Sequence, residues 1–256
     1  MTDYNTYNIE GEDLIKEALL REVGFFEKIK YKCEIIFDIG CRDDIDYINI
    51  SKGKVFHLFE PNPIFFMECK KKINKIFDNV VILNNFGISN KTGIFDYWEA
   101  YQSFFRRSYL VPDTEFSSIS LLLKKFSEYI EENKINKIDF LKIDTEGSEP
   151  DILLDFPYFI KNNIKYIQFE YASTWIDRND GKSFYDIYNF YKKYFYFYIL
   201  YNKRHPISVN FLVSENSTAS VLIKIDNNEL ISKMKFYMEE GSGFEIIMIN
   251  KKENDI

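Results

Sequence analysis

Cysteine, glycine and histidine are scarce in this 256-residue chain, at three, ten and two residues. Cys33, Cys41 and Cys69 are an odd number without C-x-x-C spacing. That argues against a disulfide frame or a zinc site, and for small buried side chains in a reducing compartment. No Pro-, Gly- or Ser-rich linker and no internal repeat interrupts the chain, so one domain is the economical expectation. No apolar run approaches the roughly 20 residues needed to span a bilayer. The opening MTDYNTYNIEGEDL is polar and acidic, unlike a targeting segment. A soluble, cytoplasmic protein is therefore expected. Basic residues are outnumbered, 33 Lys and Arg against 40 Asp and Glu, for a net charge of −7; this argues against a nucleic-acid partner. What the chain has in plenty is apolar mass. A hydrophobic content of 46%, with 18% aromatic residues, is ample for a core and excludes general disorder.

Short apolar runs without alternation predict strands covered on both faces: Glu34 to Gly40, Val55 to Glu60, Asn79 to Leu83, Ile138 to Asp144 and Tyr166 to Tyr171. Ile94 to Trp98 follows the turn residues Lys91-Thr92-Gly93, and further extended candidates are 195–201, 207–213, 219–225 and 244–250. Helical spacing is read at 12–30, 119–132, 183–195 and 228–238. Asn62 as N-cap and Pro63 at N1 open a helix through about Phe77, and 149–160 reads as a helix interrupted at Pro157. Strands alternating with helices predict βαβ crossovers. The fold class is α/β, a mostly parallel central sheet with an antiparallel C-terminal edge.

Four of these strands end in an acid: Asp38, Glu60, Asp144 and Glu170. Ligands of open parallel sheets bind outside the carboxyl ends of the strands, where strand order reverses. Glu60 lies 22 positions after Asp38, the place from which an acid holds a ribose hydroxyl pair. The first turn nevertheless lacks G-x-G-x-x-G; it has Gly40 alone, and Asp43 and Asp44 would repel a pyrophosphate. A cationic nucleoside without pyrophosphate fits, and S-adenosylmethionine (SAM) is such a molecule. Lys142 lies within an apolar strand on the face of Asp144, where a lysine requires a partner. Asp144 or Glu170 is the expected one.

Phe37-Asp38-Ile39-Gly40, Phe59-Glu60-Pro61-Asn62-Pro63, Asp139-Phe140-Leu141-Lys142-Ile143-Asp144-Thr145-Glu146-Gly147-Ser148-Glu149 and Phe169-Glu170 together resemble the FkbM-type SAM-dependent methyltransferases. The K-I-D-x-E-G-x-E segment is the most specific part. The resemblance runs from about residue 33 to about 171. It implies a Rossmann-like class I methyltransferase fold, here residues 31–256 behind an N-terminal helical extension of 1–30, and O-methylation of hydroxyls, often on sugars. It also implies that Asp38, Gly40, Cys41 and Arg42 line the methionine end of SAM. Glu60, with Pro61 and Asn62, would hold the ribose, and Asn85, Phe86 and Gly87 would lie beside the adenine. Lys142, Asp144, Glu146 and Glu170 would face the transferred methyl. Two departures stand out: Cys41-Arg42-Asp43-Asp44 replaces the family's Ala-Asn-x-Gly, and Ser118 to Leu122 lacks its Leu-Asp pair.

A sugar hydroxyl is a poor nucleophile, so a base or a metal is required. Asp144 is expected as base, with Lys142 offsetting developing negative charge. In a variant of this scheme Asp144 and Glu170 hold Mg²⁺. Arg106, Arg107 and His205 are candidates for binding a small-molecule or glycan substrate, whereas His57, in mid-strand, is expected to be a packed core residue. Two rival classes are an NAD-type oxidoreductase, disfavoured by the missing glycines, and a non-catalytic scaffold partnering a glycan-processing enzyme.

Overall fold

A computed structural model describes residues 6–7, 23–100, 103–106, 118–175, 182–200, 222–239 and 243–253. Its strands are β1 (Thr6–Tyr7), β2 (Ile35–Ile39), β3 (Val55–Phe59), β4 (Val80–Asn84), β5 (Gly87–Ser89), β6 (Gly93–Ala100), β7 (Ser103–Arg106), β8 (Ser118–Lys125), β9 (Ile138–Ile143), β10 (Ile164–Tyr171), β11 (Phe195–Leu200), β12 (Leu222–Lys224) and β13 (Phe244–Asn250). The main sheet has the order β1-β12-β11-β13-β10-β9-β2-β3-β4. From β10 to β4 every pairing is parallel. β13 lies antiparallel between β10 and β11, and β12 and β1 continue that flank antiparallel. The chain lays down β2, β3 and β4 in one direction and then returns to place β9 and β10 on the other side of β2. Strand order therefore reverses between β2 and β9, as in doubly wound folds.

Alternation along the central strands sorts the core into two layers. Phe37, Ile39, Phe59, Leu141, Ile143, Ile167 and Phe169 face helices Phe126–Glu132, Glu149–Asp155, Pro157–Asn163, Phe184–Tyr191 and Asn228–Glu239. Ile36, Phe56, Leu58, Phe140, Tyr166, Ile247 and Ile249 pack on the other side, with Phe25, Phe26 and Ile29 of helix Gly24–Ile29 and Tyr47 and Ile48 of Asp46–Asn49. Rings meet there closely, Phe26 lying 4.8 Å from Phe140 and Phe25 6.0 Å from Tyr166.

Most expected elements are present at nearly their expected bounds. Asn62 caps helix Pro63–Ile73, its side chain accepting from the Ile64 amide at 2.8 Å. The 149–160 stretch breaks at Pro157 into two helices, Glu149–Asp155 and Pro157–Asn163. One reading is corrected. Residues 119–132 are not one helix: Ser118–Lys125 is β8, and only Phe126–Glu132 is helical. Leu121 and Leu123 are buried while Leu122 is exposed, a period of two, and β8 completes a second sheet of order β5-β8-β6-β7. Of the 12–30 helix, Gly24–Ile29 is described, followed by the 3-10 turn Lys30–Lys32. The 207–213 candidate lies outside the described residues.

Candidate active site

The parallel strands bring the expected acids to one edge. Asp38 is in register with Lys142, Lys142 with Gln168, and Glu170 with Glu245. Residues in register on neighbouring strands share a face. Asp38, Lys142, Gln168, Glu170 and Glu245 thus form one polar surface, where the apolar layer of Ile36, Phe140 and Tyr166 gives out.

Gly40 explains how close the two central strand ends come. Its φ is +84°, and a Cβ there would lie 1.8 Å from the Asp144 carbonyl oxygen. Only glycine fits. The turn is fastened on both sides: the Gly40 amide donates to Phe59 O at 3.0 Å, and the Asp144 amide to Ile39 O at 2.9 Å. Arg42 also has positive φ, 53°, and its guanidinium lies 4.8 Å over the Phe65 ring. Cys41 is buried in the core beside the Cys69 thiol; that hydrogen bond, with burial, pushes its own thiol up. What Cys41 presents to the turn is backbone. Asp43 is engaged by Lys72 at 2.6 Å, and Asp44 accepts from the Asp46 amide at 2.7 Å.

Beyond β3, buried Glu60 accepts from the Asn62 amide at 2.7 Å. Burial pushes its carboxyl up to about 7 against the lowering effect of the Asn62 and Arg42 amides. Asn85 donates to the carbonyls of Glu60 at 3.0 Å and Pro61 at 3.3 Å. Phe86 packs 5.9 Å from Phe59. A Cβ on Gly87 would meet Leu123 at 2.7 Å and Pro61 at 3.4 Å. Asn85, Phe86 and Gly87 are therefore gathered against the Glu60-Pro61 segment.

Lys142 is 2% exposed. Its ammonium lies 3.2 Å from Asp144 Oδ2 and 3.5 Å from Glu245 Oε1, so the expected Asp144 partner is present and Glu245 is a second. Gln168 anchors Glu245 with a 2.9 Å bond from Nε2 to Oε1. Glu170 is pushed up to about 9, by burial first and then by the charges of Asp144, Glu245, Glu146 and Glu149. Glu146, at φ 54°, begins a left-handed turn with Gly147. Glu149 Oε1 accepts from the Thr145 amide at 2.7 Å and hydroxyl at 2.9 Å. Its Oε2 is buried without a hydrogen-bond partner among the described residues, and burial pushes its carboxyl up to about 7.

Sequence reasoning missed Gln168, Glu149 and Glu245. Glu149 stood inside the quoted motif and Gln168 two positions before Glu170, so both carried a signal; Glu245 carried none. Arg106 ends β7, paired with Tyr97 in the second sheet, and Arg107 and His205 lie outside the described residues. His57 is a core residue on the opposite face, stacked 4.4 Å from Phe37 with Nδ1 2.7 Å from the Tyr129 hydroxyl. The donor set does not fit the proposed Mg²⁺. Asp144 is committed to Lys142, and among the described residues no three His, Cys, Asp or Glu side chains converge to hold a metal.

No curated protein matches the sequence. Similar solved structures include SMU.1697c of Streptococcus mutans in complex with S-adenosylhomocysteine, 9% identical with a TM-score of 0.46, covering 90% of this chain and 98% of that one. Another is a methyltransferase FkbM from Methylobacillus flagellatus KT, 12% identical with a TM-score of 0.43, covering 84% of this chain and 56% of that one. A family description, the methyltransferase FkbM domain, matches residues 38–198. That span takes in the Gly40 turn, Glu60, the Lys142–Asp144 pair and Glu170 on their Rossmann-like sheet, and the chain belongs to the FkbM methyltransferase family.

Proposed function

We propose that this protein transfers a methyl group from SAM to a hydroxyl oxygen of a sugar or glycan. The observation that carries the reading is the pair of buried Lys142 and the part-exposed Asp144, 3.2 Å apart at the edge where strand order reverses. The acceptor class follows from the family resemblance.

The donor set suits SAM. Glu60 is a buried carboxylate at the end of the second parallel strand, where a ribose hydroxyl pair is held. Gly40 lets the end of β2 close on the end of β9, and the carboxylates around Lys142 complement a sulfonium and an ammonium. Asp38, Gly40, Cys41 and Arg42 would hold the methionine end, Glu60, Pro61 and Asn62 the ribose, and Asn85, Phe86 and Gly87 the adenine. SAM, when bound, supplies a methyl carbon already activated by its sulfonium.

The chain's own residues then align the acceptor oxygen and remove its proton. Asp144 takes the hydroxyl proton. The Lys142 ammonium offsets negative charge growing on that oxygen, in surroundings where burial strengthens the effect. Glu170, held neutral near pH 7 by its raised carboxyl, is a hydrogen-bond donor to the acceptor, and Glu146 adds to the charge about it. Arg106, with Arg107 and His205, binds the rest of the substrate. Residues 31–256 form the catalytic domain.

The test is Asp144→Asn. Labelled SAM with candidate glycans, read by mass spectrometry, is expected to give product with the wild type and none with the variant, while calorimetry shows SAM binding by both. Near-normal turnover by the variant would refute the role of Asp144. Absence of SAM binding by the wild type would refute the function.

A further inference from the structure

β13 lies outside the matched span of 38–198, yet it forms one wall of the site. One of its positions and the residue just before it bear directly on the residues argued above. Glu245 stands opposite Glu170 in the antiparallel register, so both carboxyls project from the same face. Gly243 precedes it in the approach to the strand, and a Cβ there would come within 3.1 Å of Glu170 Oε1. The segment therefore leaves room for the Glu170 carboxyl and sets a second carboxylate beside it.

Glu245 is itself held. Gln168 donates to its Oε1 at 2.9 Å, and the Lys142 ammonium is 3.5 Å from the same oxygen. Lys142 consequently has a carboxylate on either hand, Asp144 from its own strand and Glu245 from β13. With the proposed roles of Lys142 and Glu170 as its basis, this arrangement gives β13 a part in the reaction. We propose that Glu245 is a positioning residue of the methyl-transfer site: held by Gln168, it fixes the Lys142 ammonium together with Asp144 and sets its carboxylate against the facing Glu170.

The charged groups around Glu170 among the described residues are Lys142 and Asp144 of β9, Glu146 in the loop after it, Glu149 of helix Glu149–Asp155, and Glu245 of β13. Burial contributes most to holding the proton on Glu170, and Glu245→Gln leaves nearly the same bulk in place. The Glu245 share is separable because removing it subtracts one like charge and frees one side of Lys142. Both changes favour ionised Glu170.

The experiment is a pH titration of the full chain by carbon NMR of glutamate carboxyls, with Glu170 assigned by its loss in Glu170→Gln. In the wild type Glu170 is expected to titrate at about 9. In Glu245→Gln its midpoint is expected to fall by about one unit or more, a roughly tenfold loss of proton affinity. Glu229→Gln, on helix Asn228–Glu239, controls for a general change of charge. A fall no larger than in that control overturns the proposal. Should Glu245→Gln not fold, Glu245→Met removes the same charge at similar bulk and is read the same way. The titration requires neither SAM nor an acceptor. Failure of SAM binding in calorimetry would therefore strike the proposed function alone, and an unmoved Glu170 midpoint the role of Glu245 alone.

Discussion

Gly40 and Asp144 meet backbone to backbone: a methyl group on Gly40 would sit 1.8 Å from the Asp144 carbonyl oxygen. The turn that would receive the cofactor and the strand end that carries the proposed base are therefore one rigid junction. Gly40→Ala imposes both that clash and a φ of +84° on an L-residue. A loss of at least about 2 kcal/mol in stability is expected, together with loss of SAM binding. Urea unfolding and calorimetry check the two effects separately.

Lys142 predicts a large and partly reversible cost. Lys142→Met leaves Asp144 and Glu245 facing one another without the buried cation. Breaking a fully buried pair from one side costs about 3–5 kcal/mol; with Asp144 36% exposed, the loss is expected to fall below that range. Adding Glu245→Gln to that variant removes one of the stranded charges and is expected to restore part of the loss. Denaturant midpoints of the single and double variants measure the coupling.

Among the described residues four carboxyls bind protons more tightly in the folded chain than in the unfolded one: Asp44, raised by burial, Glu60 and Glu149 at about 7, and Glu170 at about 9. For the glutamates this stabilisation is complete below the unfolded carboxylate range, near 4.5, and is lost as pH rises through those folded values. His57 acts in the opposite sense. Burial lowers it from 6.5 to about 4, so its contribution grows as pH rises between those values. Thermal unfolding against pH is expected to peak on the mildly acidic side and decline into the alkaline range. Glu149→Gln should flatten the decline between about pH 4.5 and 7.

His57→Phe separates core from chemistry. The ring packs on Phe37 behind the sheet and bonds the Tyr129 hydroxyl. The variant is expected to lose about 1–2 kcal/mol, mostly that hydrogen bond, with SAM affinity unchanged. A marked fall in affinity would show that the ring communicates with the site.

Asp38, Glu60, Asp144 and Glu170 were legible because each ends an apolar run, and a parallel sheet carries such ends to a common edge. Lys142 was legible for the opposite reason: a charge inside a buried strand requires a partner. Which partner was only half readable. Asp144 is two residues away on the same strand, whereas Glu245 reaches Lys142 through a pairing between β10 and β13 that no local pattern encodes. In Phe244–Asn250 its single charge has the look of a solvent-facing position. The 118–125 segment misled because Leu121-Leu122-Leu123 satisfies both helical and extended spacing, and its partner β6 decides between them. Asp139, although inside the quoted motif, is a clamp. It accepts from the Glu34 and Ile35 amides at 2.8 and 3.0 Å and pairs with Lys165 at 2.9 Å.

β13 inserts between two strands that precede it in the chain, β10 and β11. Until residues 244–250 arrive, the edge of β10 that carries Glu170 has no strand neighbour, and β11 and β12 have no strand pairing to the parallel half among the described residues. Such distant pairing adds its ordering cost before it returns any contact energy, which slows folding. Assembly of the sheet and completion of the Glu170 wall are thus a single late event, and a chain cut before residue 244 would expose an unpaired, aggregation-prone ribbon at its centre.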